Sequence, residues 1–354
     1  MNHTESTSPT SRIVYLDNAK FLLIFLVTAG HFILPLESTR FSYNIYFFIY
    51  TFHMPCFIFL SGFLAKNAFR TAAAQNNEDK LPPAVFRIKY LLEPLWLYFI
   101  FKLLTHLTEG LIEGQITFYI DFFTESGAPW YLLSLSLWHL TLPALKEQKP
   151  AAVLTGSIIL ALLSGYQRSV GSFLAMDRTL GFAPFFYAGY YIKKESLDRF
   201  LTAYRRPLIV GALALSALIG LTAWDLLWPV YRLIFSSNYS HLDPSLYLAG
   251  PALRLMVWAA AALLSAGLLA AVPRKPLPVF TVIGQRTLQI YILHRLIRDL
   301  MQYFGLYELV NVHEKSNVIG LLLLAFLVTL LLGNRFLYSL FCRVKDLPFR
   351  TSKA

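Results

Sequence analysis

Charge is what this 354-residue chain has least of: Asp, Glu, Lys and Arg make up 14% of it, where a soluble domain carries roughly a quarter. It has only two cysteines, Cys56 and Cys342, far apart in apolar surroundings. That excludes a disulfide framework and a cysteine-based metal site. No Gly-rich phosphate loop, internal repeat, or Ser- or Pro-rich linker is present. A P-loop nucleotide site, a solenoid and a multidomain layout are therefore not expected. The first apolar stretch contains Asp17 and Lys20 and lacks a small-residue cleavage site, so it reads as a retained helix rather than a signal peptide. What is abundant is apolar surface: 56% hydrophobic residues, with 29 Phe and 20 Tyr, and a mean hydropathy of +0.53. The composition is that of an all-α, polytopic membrane bundle with aromatic residues at its interfaces.

A spanning helix needs roughly 20 mostly apolar residues. About ten such segments are expected, near 14–36, 43–65, 88–107, 129–145, 151–166, 179–193, 207–229, 247–272, 280–302 and 316–340. They form one membrane domain over 12–342, between a polar cytoplasmic tail (1–11) and a basic one (343–354). Loop charge sets the orientation. With both termini inside, the inner segments carry 19 basic residues, against Arg40, Arg168, Arg178, Arg232 and Lys315 outside. This obeys the positive-inside rule and accounts for the net charge of +11 without nucleic acid. Between the third and fourth segments, ITFYIDFF lies among acidic residues and is expected to run along the outer interface.

Ionisable groups in hydrocarbon are costly and need a reason. In the first helix Lys20 and His31 are eleven positions apart, about 16 Å at 1.5 Å per residue and nearly on one face. Asp17 sits one turn before Lys20 on that face. The second segment reads FHMPCFIFLSGF, with His53 before Met54-Pro55. Pro55 frees a backbone carbonyl, which belongs inside the bundle. Ser61-Gly62 suits close helix packing. The ninth segment holds Arg286 near the inner face, His294 deeper, and an Arg295–Asp299 i,i+4 pair near the outer end. Arg87 and Lys89 stand at the inner entrance of the third helix. Each of these has a structural alternative: snorkelling for the cations, packing for the histidines, ordinary positive-inside charge for Arg87 and Lys89. Taken together they have direction, with Lys20, Arg87, Lys89 and Arg286 at the inner mouth and His31, His53 and His294 deeper. Such a layout suits a phosphorylated donor at the mouth and a base near its reactive end. His106, His139, Asp225 and Arg254 receive no role.

These segments resemble the acyltransferase-3 family of integral membrane O-acyltransferases, and within it the fucose 4-O-acetylase-like branch. The residues are Leu16-Asp17-Asn18-Ala19-Lys20 followed by Gly30-His31; Phe52 to Phe63 (FHMPCFIFLSGF); Trp130-Tyr131-Leu132-Leu133; PFFYAGYYI at 184–192; and GQRTLQIYILH at 284–294. The resemblance covers residues 12 to about 340. It implies transfer of an acetyl or other short acyl group from cytosolic acetyl-CoA to a hydroxyl of a sugar or cell-envelope glycan, in a bacterial inner membrane and with no metal. It makes His31 the leading catalytic residue, with His53 or His294 sharing or orienting the proton. Asp17, Ser61, Trp130 and Tyr131 enter as substrate-contacting or supporting residues. The sequence departs from the family at Lys20, where arginine is usual, and before the third helix, where paired arginines are reduced to Arg87 with Tyr90. Lys89 is the candidate substitute. A lone lysine offers a point charge, not a bidentate fork. Direct transfer and a transient acyl-histidine both fit the residues. A transporter or flippase would also bury charges and kink helices, and predicts movement of a substrate without an acyl product.

Overall fold

The computed structural model describes residues 13–36, 38–74, 83–115, 118–145, 147–167, 171–311 and 313–349, and the side chains within them apart from 67–74, 83–88 and 90. The expected N-terminal tail therefore lies outside the described residues, while the basic one is described as far as residue 349. The described chain is helical, with one isolated bridge between Thr124 and Phe173 and no strand. In order the helices are α1 (Val14–Ile33), α2 (Arg40–Ala74), α3 (Pro83–Glu113), α4 (Trp130–Leu145), α5 (Pro150–Ser164), α6 (Met176–Tyr191), α7 (Lys194–Ala203), α8 (Arg205–Leu226), α9 (Gly250–Ala271), α10 (Pro278–Gly284), α11 (Thr287–Tyr303), α12 (Lys315–Leu332) and α13 (Arg335–Lys345). Among the described residues six spans are long and apolar enough to cross a membrane: Val14–Leu36, Arg40–Lys66, Leu91–Glu113, Arg205–Leu226, Gly250–Ala271 and Lys315–Leu332. The other four expected spans fall on α4, α5, α6 and α11, which have 16, 15, 16 and 17 residues.

α1 is the axis of the bundle, packed by α2, α10, α11 and α12. Fourteen of its residues are buried, including Asp17 and Asn18. α8 lies at the rim: only Ile219 and Ala223 are buried, while Val210, Leu213 and Leu221 face outward to the apolar surroundings its composition demands. Small residues allow the closest crossings. A Cβ on Gly62 of α2 would sit 1.9 Å from the Phe186 carbonyl oxygen of α6, and one on Gly189 would sit 1.9 Å from that of Phe59. The two glycines thus open the same crossing from both sides.

Two expected spans are broken in the structure. Segment 280–302 divides into α10 and α11 at Gln285-Arg286, because Gly284 presses on α1. A Cβ there would lie 1.9 Å from the Asp17 carbonyl oxygen. Asn18 secures this corner by donating to the Pro273 and Lys275 carbonyls (2.8 and 3.1 Å), and Thr281 donates to its Oδ1 at 2.5 Å. Segment 316–340 divides at Gly333-Asn334, where the Asn334 side chain accepts from the Leu337 amide at 2.9 Å and caps the amphipathic α13. The stretch expected at the outer interface is irregular rather than helical over its described residues 118–128. Asp121 Oδ1 accepts from the Phe123 and Thr124 amides (2.8 and 3.0 Å), Lys102 pairs with Glu125 at 3.0 Å, and the Glu125 amide donates to Ser172. Fixing this loop brings residues 126–130 to the ends of α1 and α2. Arg254 is fully buried and donates to the Ala161, Ser236 and Ser237 carbonyls, so it anchors the long α8–α9 connection to α5.

Candidate active site

Two cavities open along α1, one near each end. The first, of about 300 Å³, is lined by Lys20, Ser61, Glu93, Tyr131, Arg286 and Lys345 among others. Lys20 pairs with Asp17 Oδ1 at 2.7 Å, and Gln285 donates to the other oxygen of that buried carboxylate at 3.3 Å. The i,i+3 spacing of an α-helix makes the pair, and the α10–α11 corner closes it. Arg286, freed from helix geometry at the same corner, donates to the Gly333 carbonyl at 2.9 Å and lies over the Tyr338 ring. Lys345 of α13 reaches Glu93 at 3.2 Å. Three cations and one carboxylate therefore face this space, as an anionic ligand requires.

The second cavity, of about 170 Å³, is lined by His31, His53, Tyr46, Tyr50, Trp130 and Tyr291, with Arg178 and Arg295. His31 is half-buried, His53 and His294 almost fully so. His294 stands behind His31, ring centroids 5.1 Å apart, and Tyr50 lies edge-on to both His31 and His53. The Nδ1 atoms of His53 and His294 contact the carbonyls of Ile49 and Ile290 at 2.7 and 2.9 Å. A carbonyl only accepts, so each neutral ring carries its proton on Nδ1 and a lone pair on Nε2. His294 Nε2 and His31 Nδ1 are buried without a hydrogen-bond partner. The site thus holds several imidazoles able to take a proton and no carboxylate on the cavity wall.

A small cavity of about 10 Å³, the neck, lies between the two and shares lining residues with each. Val27, Met54 and Tyr291 line both the neck and the histidine cavity, while Phe57, Tyr131, Thr287 and Leu288 line both the neck and the cationic one. Tyr131 and Tyr291 meet edge to face at 5.4 Å. Tyr131 is held by Ser61 Oγ at 2.7 Å, and Tyr291 donates to the Ala128 carbonyl.

The structure brings together His31, His53 and His294 at one end, and Lys20 and Arg286, with Asp17, Ser61 and Tyr131, at the other. Trp130 lies in the histidine cavity wall. Lys89 is placed apart: it pairs with Asp346 at 2.6 Å, lies over Phe349, and does not line the cationic cavity. The Arg87 side chain lies outside the described residues. Sequence reasoning missed Lys345, Tyr46, Tyr50 and Tyr291, and gave Arg178 and Arg295 only an outer-charge and an ion-pair role. Among the described residues no three His, Cys, Asp or Glu side chains gather in a metal-binding group. Residues 13–333 match the acyltransferase-3 family, described as an acyltransferase domain. No curated protein and no solved structure matches the chain.

Proposed function

The chain belongs to the acyltransferase-3 family over nearly its whole length and is an integral membrane acyltransferase; on that premise we propose that it carries an acetyl or other short acyl group from cytosolic acyl-CoA to a hydroxyl of a sugar or cell-envelope glycan. The proposal includes the fucose 4-O-acetylase-like branch, a ten-helix arrangement with both termini inside, and a bacterial inner membrane.

One observation carries it. A cationic cavity, a neck and a histidine cavity follow one another along α1. Lys20, Arg286 and Lys345 would hold the nucleotide phosphates. The pantetheine arm is the slimmest part of acyl-CoA, and the neck would widen from about 10 Å³ to admit it. The thioester would then lie beside His31. There His31 accepts the proton of the acceptor hydroxyl as its oxygen bonds to the thioester carbon. The carbon–sulfur bond breaks, and the proton passes to the departing thiolate. The products are an acyl ester and the free thiol of CoA. His53 or His294 orients the ring or shares the proton. A transporter is not favoured, since family membership points to acyl transfer.

The test is direct. Purified protein, labelled acetyl-CoA and envelope glycan should give labelled glycan. Replacing His31 with Ala should lower the rate by about 10²–10⁴-fold, with normal expression and membrane insertion. A fully active, normally inserted His31→Ala protein removes His31 from the chemistry. Uptake of glycan with no acyl product removes the enzyme itself.

A further inference from the structure

We propose that the acceptor is an acidic carbohydrate, and that Arg178 and Arg295 grip its carboxylate or phosphate while His31 faces the hydroxyl. The inference rests on the acyltransferase reading for His31, but its own observations are separate from the donor path.

Among the described residues the histidine cavity is lined by two guanidinium groups and by no Asp or Glu side chain. Arg178 has no carboxylate within ion-pair distance among the described residues. Its neighbour Asp177 is turned back, accepting from the Arg178 amide at 2.7 Å. The Arg178 guanidinium lies 5.3 Å over the Trp130 ring, whose stacking on Phe182 (5.4 Å) fixes that platform. A cation on an aromatic face keeps its edge donors free for a ligand. Arg295 is held from behind by Asp299 at 3.1 Å and more loosely by Glu109 at 3.7 Å, neither of which lines the cavity. Its Nε is buried without a hydrogen-bond partner. Burying a guanidinium with donors unfilled is costly unless something fills them. Between the arginines and the histidines the wall is aromatic: Tyr46, Tyr50, Trp130 and Tyr291. Aromatic faces suit the apolar C–H faces of a pyranose, and a forked cation beside them suits an anionic substituent. A neutral sugar would leave Arg178 without an anionic partner among the described residues and the Arg295 Nε unfilled. The phosphates of the donor have their own cations at the other end of α1.

The experiment measures binding without acyl-CoA, so it stands apart from whether transfer occurs. Full-length protein in lipid nanodiscs is melted with glucuronate, glucose 1-phosphate or glucose at equal millimolar concentration. At least one acidic sugar should raise Tm above the shift given by glucose. Glucuronate alone acting names a carboxylate, glucose 1-phosphate alone a phosphate. Arg178→Gln should weaken that binding by about 10- to 100-fold, and Arg178→Lys should keep part of it. If Arg178→Gln does not fold, Arg178→Lys and Arg295→Gln carry the same comparison. Equal shifts for glucose and both acidic sugars overturn the inference. So does an acidic-sugar shift undiminished in the arginine variants. Loss of labelled acetyl transfer in His31→Ala, by contrast, reports only on the acyltransferase reading.

Discussion

Lys20 shows how one residue serves two ends. Its ammonium faces the cationic cavity, and it also neutralises the buried Asp17 at 2.7 Å. Lys20→Met should therefore raise KM for acyl-CoA and also cost about 3–5 kcal/mol of stability, because it takes the paired cation from a buried carboxylate. In Lys20→Met with Asp17→Asn, melting should recover while the donor KM stays high. If KM recovers together with Tm, Lys20 has no donor contact. Lys20→Arg should keep the pair and the activity. This pair was legible in the sequence, because i,i+3 spacing within one helix fixes it. So were His31, His53 and His294 as charged or polar intruders in apolar helices. Arg178 and Arg295 were not. They come from the first turn of α6 and the middle of α11, remote in sequence, and only the packed bundle aims both at one cavity. The spacing of Lys89 was equally visible, but its pairing with Asp346 belongs to a tail 257 residues away.

Helices reveal which small residues matter. Gly62→Ala or Gly189→Ala should force the α2–α6 crossing apart and reduce folded, monodisperse protein, because each added methyl meets backbone rather than a movable side chain. Gly156→Ala in α5, where the added Cβ meets nothing within 4 Å, should be neutral or should stabilise by about 0.5–1 kcal/mol. Size-exclusion profiles and melting curves of the three variants check this contrast; equal behaviour refutes it. The apolar runs disclosed most helix positions, since length and composition fix a span. They did not disclose the breaks at 285–286 and 333–334. Those depend on contacts with α1 and on an Asn cap, and hydropathy averages over both. At the second break α13 is tied to α3 by Lys89–Asp346 and Lys345–Glu93. Partial burial works against the Asp346 charge, but hydrogen bonds and attraction from Lys89 and Lys345 prevail and hold its carboxyl below the usual range. A carboxyl depressed in the folded state stabilises above its unfolded pKa and loses that stabilisation as pH falls through the folded one. Hydrogen-exchange protection across α13, taken relative to the intrinsic rate, should therefore fall as pH drops below about 4, and Asp346→Asn should lower it at neutral pH and flatten the dependence. Protection that stays high and pH-independent in the variant would place the anchor elsewhere.

For the molecule as a whole, the neck decides whether the two cavities act as one site. Val27→Trp or Leu288→Trp should fill it. Labelled acyl-CoA should still bind at the Lys20 end, while transfer falls on the order of a hundredfold or more. Undiminished transfer in both variants would separate the cavities functionally. Its narrowness has another consequence. A wide, wet passage between the faces of a membrane would conduct protons and run down the gradient the cell lives on. The neck's walls are mostly apolar, from Val27, Met54, Phe57 and Leu288, and its volume of about 10 Å³ is close to the least that holds one water molecule. On the proposed reading the resting protein would insulate the membrane, and an acyl-CoA arm lying in the neck would bridge its two faces. Met54→Ala with Phe57→Ala should make liposomes carrying the protein leak protons, read by a trapped pH dye, whereas the parent protein keeps them tight. The proposed transfer would then carry the acyl group through a gap whose walls are mostly apolar.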